Sequence, residues 1–381
     1  MMLPMKNRIT ILIAWLFFSS CFLHSAYAFF DKDLHVLTMQ NGLVDNTIRC
    51  IHKDKDGFMW FGTNDGLSRY DGNAINNYIV NSLSVSYMSI SEIKDISHDC
   101  LGIISEGVLY VFNRQTESFI PVTEQEKTGQ IHSWKILPAG EGRMWSLSSG
   151  RLILYSITEQ KDKQGLTVGI TLKEEKSCDK SSLRKNAYFE TYAYAADQER
   201  IWVMSSVGDL YLFDPSTAKM EFTVHLFENH EGGQINTIIE VDDMVWVGTI
   251  AQGIIRYDLQ TKVVDQITYG QGEGKGNMLS HTDVFKIIPV DNGRFLVTTW
   301  SGCTLLTLDK RQRGELKAEI YSSTISPMHR NLETRMISAY YDPNGIIWIG
   351  TNGGACSIPT YGHSIITSIT RCGIMRFAAL P

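Results

Sequence analysis

The sequence predicts an all-β fold, a seven-bladed β-propeller of four-stranded antiparallel blades. Three observations carry that expectation. A unit recurs seven times, with steps of 42 to 57 residues between its markers. Each unit breaks into short alternating segments separated by Asn, Asp and Gly, the residues that hairpin turns require. The composition sets 31 Gly beside only 9 Pro, with 16 Tyr, 16 Phe and 8 Trp, a bias toward aromatic strands joined by glycine turns.

In chain order, residues 1–28 read as a signal peptide. Lys6 and Arg8 form a basic start, Ile9 to Phe18 an apolar stretch, and Ala26-Tyr27-Ala28 a small-x-small cleavage site. The apolar run is short for a membrane span, which needs about 20 residues. No later segment is long and apolar enough to cross a bilayer as a helix. The chain is expected to be exported, with no membrane span beyond the signal.

Residues 29–360 form the expected ring. Its clearest unit is Asn41 to Gly72, NGLVDNTIRCIHKDKDGFMWFGTNDGLSRYDG. There strand A is Thr47 to His52, strand B Met59 to Thr63, strand C Leu67 to Tyr70 and strand D Ile75 to Val80. Taking Trp60 as the strand B marker, the equivalents are Ile103, Trp145, Trp202, Trp246, Leu296 and Trp348. A large residue belongs there because each blade buries a face on its neighbour. Such burial is worth roughly 2–3 kcal/mol. No unit can cover both faces alone, so stability needs the stacked ring. Leu34 to Leu37 is expected to supply the fourth strand of the seventh blade, with His363 to Ile369 as the rival segment. In the long step between Trp145 and Trp202, Gly165 to Leu172 is strand-like and Lys173 to Lys185 reads as an exposed loop. Residues 361–381 are a tail or the start of a following module.

The charge balance is mildly acidic, 35 Lys+Arg against 41 Asp+Glu for a net −6, which argues against a nucleic-acid partner. The seven cysteines form no C-x-x-C pair, so no zinc site is expected, and most sit in apolar strand patterns as small buried residues. Asp54-Lys55-Asp56-Gly57 lacks the spacing of a calcium loop and recurs where a hairpin turn is due. G-x-S-x-G, H-E-x-x-H and P-loop motifs are missing. No catalytic residue, metal or cofactor is therefore expected, and the expectation is a protein that is not an enzyme.

The unit quoted above, with Trp246-Val247-Gly248-Thr249 and Trp348-Ile349-Gly350-Thr351, resembles the two-component regulator propeller repeat. That repeat fills the periplasmic sensor region of hybrid two-component system regulators in gut Bacteroidetes. The resemblance implies a ligand-sensing propeller acting in signal transduction, probing oligosaccharides, in a membrane-anchored parent. A kinase Asp-x-Gly-x-Gly box and a receiver are not in the sequence, so kinase activity is not carried over. By this resemblance the sequence looks like the N-terminal part of such a sensor, or a truncated product, with a second propeller or a homodimer as partner.

In a propeller the D-to-A connectors and B–C turns share one face. Trp300, in the B–C turn of unit six, is the strongest candidate there, since a large aromatic in an exposed turn can stack on a sugar. His281, Arg330, Asn64 and Gln252 are candidate hydrogen-bonding partners, and Asp283 and Arg335 should lie near the channel. Trp134, opening strand A of unit three, is expected in the core. Two alternatives stay open: a propeller that binds proteins, and a polysaccharide lyase or hydrolase.

Overall fold

A computed structural model describes residues 35–79, 88–140, 142–148, 150–184, 187–227, 234–269, 278–291, 293–309, 315–321 and 335–359. They form seven separate sheets, one per repeat, with antiparallel neighbours in sequence order except for one edge strand each in blades three and seven. The innermost strands are Ile48–Lys53, Ile90–Asp95, Lys135–Pro138, Phe189–Tyr194, Ile235–Val241, Val284–Asp291 and Met336–Asp342. Inner strands pack on one another from blade four through seven, on to blade one and from there to blades two and three, and Lys135 of blade three reaches Thr191 of blade four. The fold is a seven-bladed β-propeller.

The ring closes on a strand that precedes its first blade. His35–Leu37 pairs antiparallel with Ala355–Pro359, His35 opposite Ser357, and becomes the outer strand of blade seven. The rival segment, His363 to Ile369, lies outside the described residues.

The motif Trp-x-Gly-Thr has a packing reason in each position. Trp60 is fully buried and meets Phe112 of blade two at 5.3 Å in an edge-on contact. A Cβ on Gly62 would lie 2.6 Å from Ile90, one on Gly248 2.7 Å from Val284, and one on Gly350 2.7 Å from Ile48. The residue that opens the next blade therefore fits only against a glycine. The threonine closes the hairpin: the Thr63, Thr249 and Thr351 hydroxyls donate to the carbonyls of Gly66, Gly253 and Gly354 at 2.9, 3.0 and 3.0 Å.

Strands B and C of the first unit fall where the sequence places them, at Met59–Thr63 and Leu67–Tyr70. Four expectations change. The register equivalent of Trp60 in blade two is Gly102. Ser105 opposite Ile90 matches Thr63 opposite Ile48, which makes Ile103 the counterpart of Phe61, facing back toward blade one. The polar run from Lys173 begins in a strand rather than a loop: Thr167–Asp179 pairs along the length of Arg151–Lys161. Its charges are held by pairing, Glu174 with Arg151 and Asp179 with Arg151. Blade three also gains a fifth strand, Val122–Glu124, parallel to Thr167–Asp179 on the outer edge. Finally, Trp134 is 55% exposed, lying over the turn glycine Gly107 of blade two rather than in the core.

Candidate functional site

Two arrangements of side chains stand out, one on the face that carries the D-to-A connectors and B–C turns, the other within the channel. On the turn-bearing face, blades five to seven converge. The connector before strand A of blade six is tied down on both sides. Asp283 Oδ1 accepts the Ala251 amide at 2.8 Å, the Asp283 carbonyl accepts the Trp300 amide at 3.1 Å, and the Thr282 carbonyl accepts the Gly253 amide at 2.8 Å. His281 Nδ1 accepts the Asp283 amide at 3.0 Å, and its ring stacks on Tyr269 with centroids 6.1 Å apart.

Trp300 projects from the B–C turn of blade six and is 42% exposed. Phe285 stacks on it at 6.3 Å, and the Arg335 guanidinium from blade seven sits 3.3 Å from its ring centroid. That cation–π contact fixes the orientation of both groups. Gln252 lies beside them in the neighbouring turn, where its carbonyl accepts from Gln266 at 2.6 Å. Of the seven residues singled out from sequence, five thus gather at one junction: Trp300, His281, Asp283, Arg335 and Gln252. Asn64 stands apart in blade one, accepting from Arg49 at 3.4 Å. Arg330 lies outside the described residues.

Sequence reasoning missed Phe285 and Tyr269. It also missed the breadth of the apolar display. Met39, Ile79, Trp134, Tyr188, Tyr269 and Trp300 all occupy connectors or B–C turns of this face, and they are six of the ten exposed large hydrophobic residues among those described. A signal existed: Tyr188 and Trp134 each directly precede a strand A, a position that the repeat brings to this face.

Inside the channel, register defines a layer of seven equivalent residues, each two before the partner of the Trp60 equivalent: Cys50, Glu92, Lys135, Thr191, Thr237, Lys286 and Ser338. All seven carry a polar or thiol group. Several stitch one blade to the next. Ser338 donates to the Ile48 carbonyl at 3.0 Å, Cys50 to the Ile90 carbonyl at 3.7 Å, and Glu92 accepts the Ile136 amide at 2.7 Å. Lys135 donates to the Thr191 hydroxyl and to the Asn236 carbonyl. Asn236 in turn donates to the Val284 carbonyl at 2.9 Å.

The ring of strands dehydrates these groups. Burial, reinforced by the Lys286 charge, lowers the Lys135 ammonium to about 8 against the attraction of Glu92 and Glu190. Lys286 is lowered by burial too, and the Glu190 carboxyl is raised by it. Burial and then Glu92 push the Cys50 thiol to about 12, so it stays protonated and unreactive at neutral pH. Cys100, Cys178, Cys303 and Cys356 are buried. Among the described residues no group of three or more His, Cys, Asp or Glu is arranged to hold a metal.

The fold and the repeat define a class, a seven-bladed propeller built of repeats, and two stretches of it match the two component regulator propeller. Residues 42–65 and 332–353 match that family, the same units that the Trp-x-Gly-Thr packing organises. No curated protein sequence matches the chain. Among solved structures it is similar to an extracellular domain assigned to a hybrid two component system of B. thetaiotaomicron, at 18% identity and a TM-score of 0.62 over 85% of this chain and 41% of that one. A second such extracellular domain from B. thetaiotaomicron gives 18% identity and a TM-score of 0.62, over 85% and 39%. The chain thus spans about two fifths of the length of these relatives. It also resembles the virginiamycin B lyase of Staphylococcus aureus at 11% identity and a TM-score of 0.56, over 85% and 97%. These likenesses show the propeller fold. No helix among the described residues is long and apolar enough to cross a membrane.

Proposed function

We propose that the protein is a ligand-sensing propeller in the extracytoplasmic part of a two-component sensor, and that its turn-bearing face recognises an oligosaccharide without turning it over. In this reading residues 1–28 address the chain for export, residues 29–360 are the sensing ring, and no catalysis takes place on it. The observation that carries the reading is the junction of blades five to seven, where Trp300 stays 42% exposed while Arg335 and Phe285 hold it in place. A fixed aromatic edge beside His281, Asp283 and Gln252 offers an apolar surface with hydrogen-bonding groups around it, which is what a sugar ring presents in complement. Similarity to the B. thetaiotaomicron extracellular domains agrees with a sensor.

Isothermal titration calorimetry against a panel of plant and host oligosaccharides tests this. Saturable binding to one class, with unchanged ligand afterwards, and at least about tenfold weaker binding by Trp300→Ala is expected. Binding of equal strength in the Ala variant, or chemical change of the ligand, overturns it.

A second reading is a protein-docking propeller. It is favoured by the spread of exposed apolar residues from Met39 in blade one to Tyr269 beyond blade five, wider than one sugar site needs.

A further inference from the structure

The polar layer in the channel is uneven. Between blades seven and one, one and two, two and three, and three and four, the layer residue of the earlier blade bonds to the next blade. Between blades six and seven that position is Lys286. Among the described residues its ammonium meets no hydrogen-bond acceptor, nor does that of Lys94 beside it. Both line a cavity of about 350 Å³, together with Cys50, Glu92, Ser338 and Tyr340. Glu92 is already engaged by the Ile136 amide. The charged groups in and beside this layer are Lys94, Lys135 and Lys286 against Glu92 and Glu190, three cations to two carboxylates, and burial opposes the charged forms of Lys135, Lys286 and Glu190 alike. A dehydrated ammonium without a bonded counter-charge is costly, and a cavity of this size has room for one small ion with its water.

We propose that this cavity is an anion site: a small oxyanion, a carboxylate or an inorganic sulfate or phosphate, is held between Lys286 and Lys94, with Lys135 behind them. The site lies within the ring and is independent of what docks on the turn-bearing face. Its occupant bridges blades two and six through Lys94 and Lys286, and completes the stitching at the layer position whose cation, among the described residues, lacks an acceptor. Inorganic and organic sources share the same recognition chemistry, two or three N–H donors on anionic oxygens.

The test is thermal unfolding of the full chain in sulfate, phosphate, acetate or chloride at matched ionic strength and pH. Any oxyanion should raise Tm by about 2 °C or more over chloride, saturably. The strongest of the three tells whether the occupant is tetrahedral and inorganic or a carboxylate. Lys286→Met should abolish that increment and, by removing an unpaired cation, unfold no lower than the parent in chloride. Lys94→Gln should weaken the apparent affinity at least about tenfold, and serves should the Met variant fail to fold. Equal Tm in all four salts, or an oxyanion increment that survives both substitutions, overturns the proposal.

Discussion

Asp54→Ala isolates what the Asp-x-x-Gly-x-x-Trp spacing does. The Asp54 carboxylate is fully buried in the A–B turn of blade one. Oδ1 accepts the amides of Asp56 at 3.0 Å and Phe58 at 2.9 Å, and Oδ2 accepts the indole N–H of Trp60 at 2.7 Å. Truncation strands the indole N–H in the core, costing about 1–3 kcal/mol, while the amide of exposed Asp56 finds water and that of half-buried Phe58 does so in part. Near 3 kcal/mol is therefore expected in all, since Arg114, 3.9 Å from Oδ2, keeps Asp95 at 2.6 Å as its partner. With about 2.1 cal/mol/K of unfolding entropy per residue, a ring of ~330 residues melts about 4 °C lower. Calorimetry on four proteins decides the cause: parent, Asp54→Ala, Trp60→Phe and the double variant. The indole bond should appear as a coupling of about 1–2 kcal/mol. If Asp54→Ala costs as much in the Trp60→Phe background as in the parent, the bond between turn and blade anchor does not hold the motif together.

Other expectations follow from single sites. Gly208 has φ +83° and no room for a Cβ, which would run into the Phe227 ring, so Gly208→Ala should cost about 3 kcal/mol or more in chemical denaturation. Lys135 has a folded pKa lowered to about 8, so the unfolded chain binds more protons above that value. Stability should therefore rise from pH 8 toward 10.5 in the parent, and this rise should shrink in Lys135→Met to the part that Lys286, also lowered by burial, contributes. At the acid end, burial pushes the Asp95 carboxyl up, but His52 and Arg114 outweigh it and hold it below the usual range. Its contribution is present above the unfolded pKa and lost as pH falls through the folded one, so Asp95→Asn should flatten the acid limb of a pH titration of stability. Leu37→Ala, in the closing strand, should cost about 2–4 kcal/mol in the same denaturation assay.

Much of the ring was legible because its rules are local. Trp60, Trp246 and Trp348 announce strand B, and Asn64-Asp65-Gly66 announces the turn after it. Blade two escaped by one residue because Gly102 replaces the anchor, and the adjacent Ile103 offers an equally apolar substitute facing the other way. Lys173 and Glu174 look like a loop because nothing local reveals that Arg151, more than twenty residues earlier, pairs with Glu174 across an outer strand. The face at blades five to seven was half legible. Trp300 breaks the small-residue rule of its turn, whereas Phe285 and Tyr269 look like ordinary strand-end aromatics until the blades meet. The channel layer was invisible for a different reason. Cys50, Glu92, Thr237 and Lys286 share no side-chain type, and only the bulge that recurs after the first residue of most inner strands brings them to one level.

The pairing of His35 with Ser357 also sets a schedule. A chain made from its N-terminus at ~5–20 residues per second presents the closing strand some tens of seconds before its partner exists. Through that interval Leu37, Leu43, Ile48, Met59 and Phe61 have no Trp348 or Ala355 to cover them, although all seven finish in one cluster. Blade one is thus the first to be synthesised and the last to be sealed, and any helper protein that shields the growing chain has its longest task there.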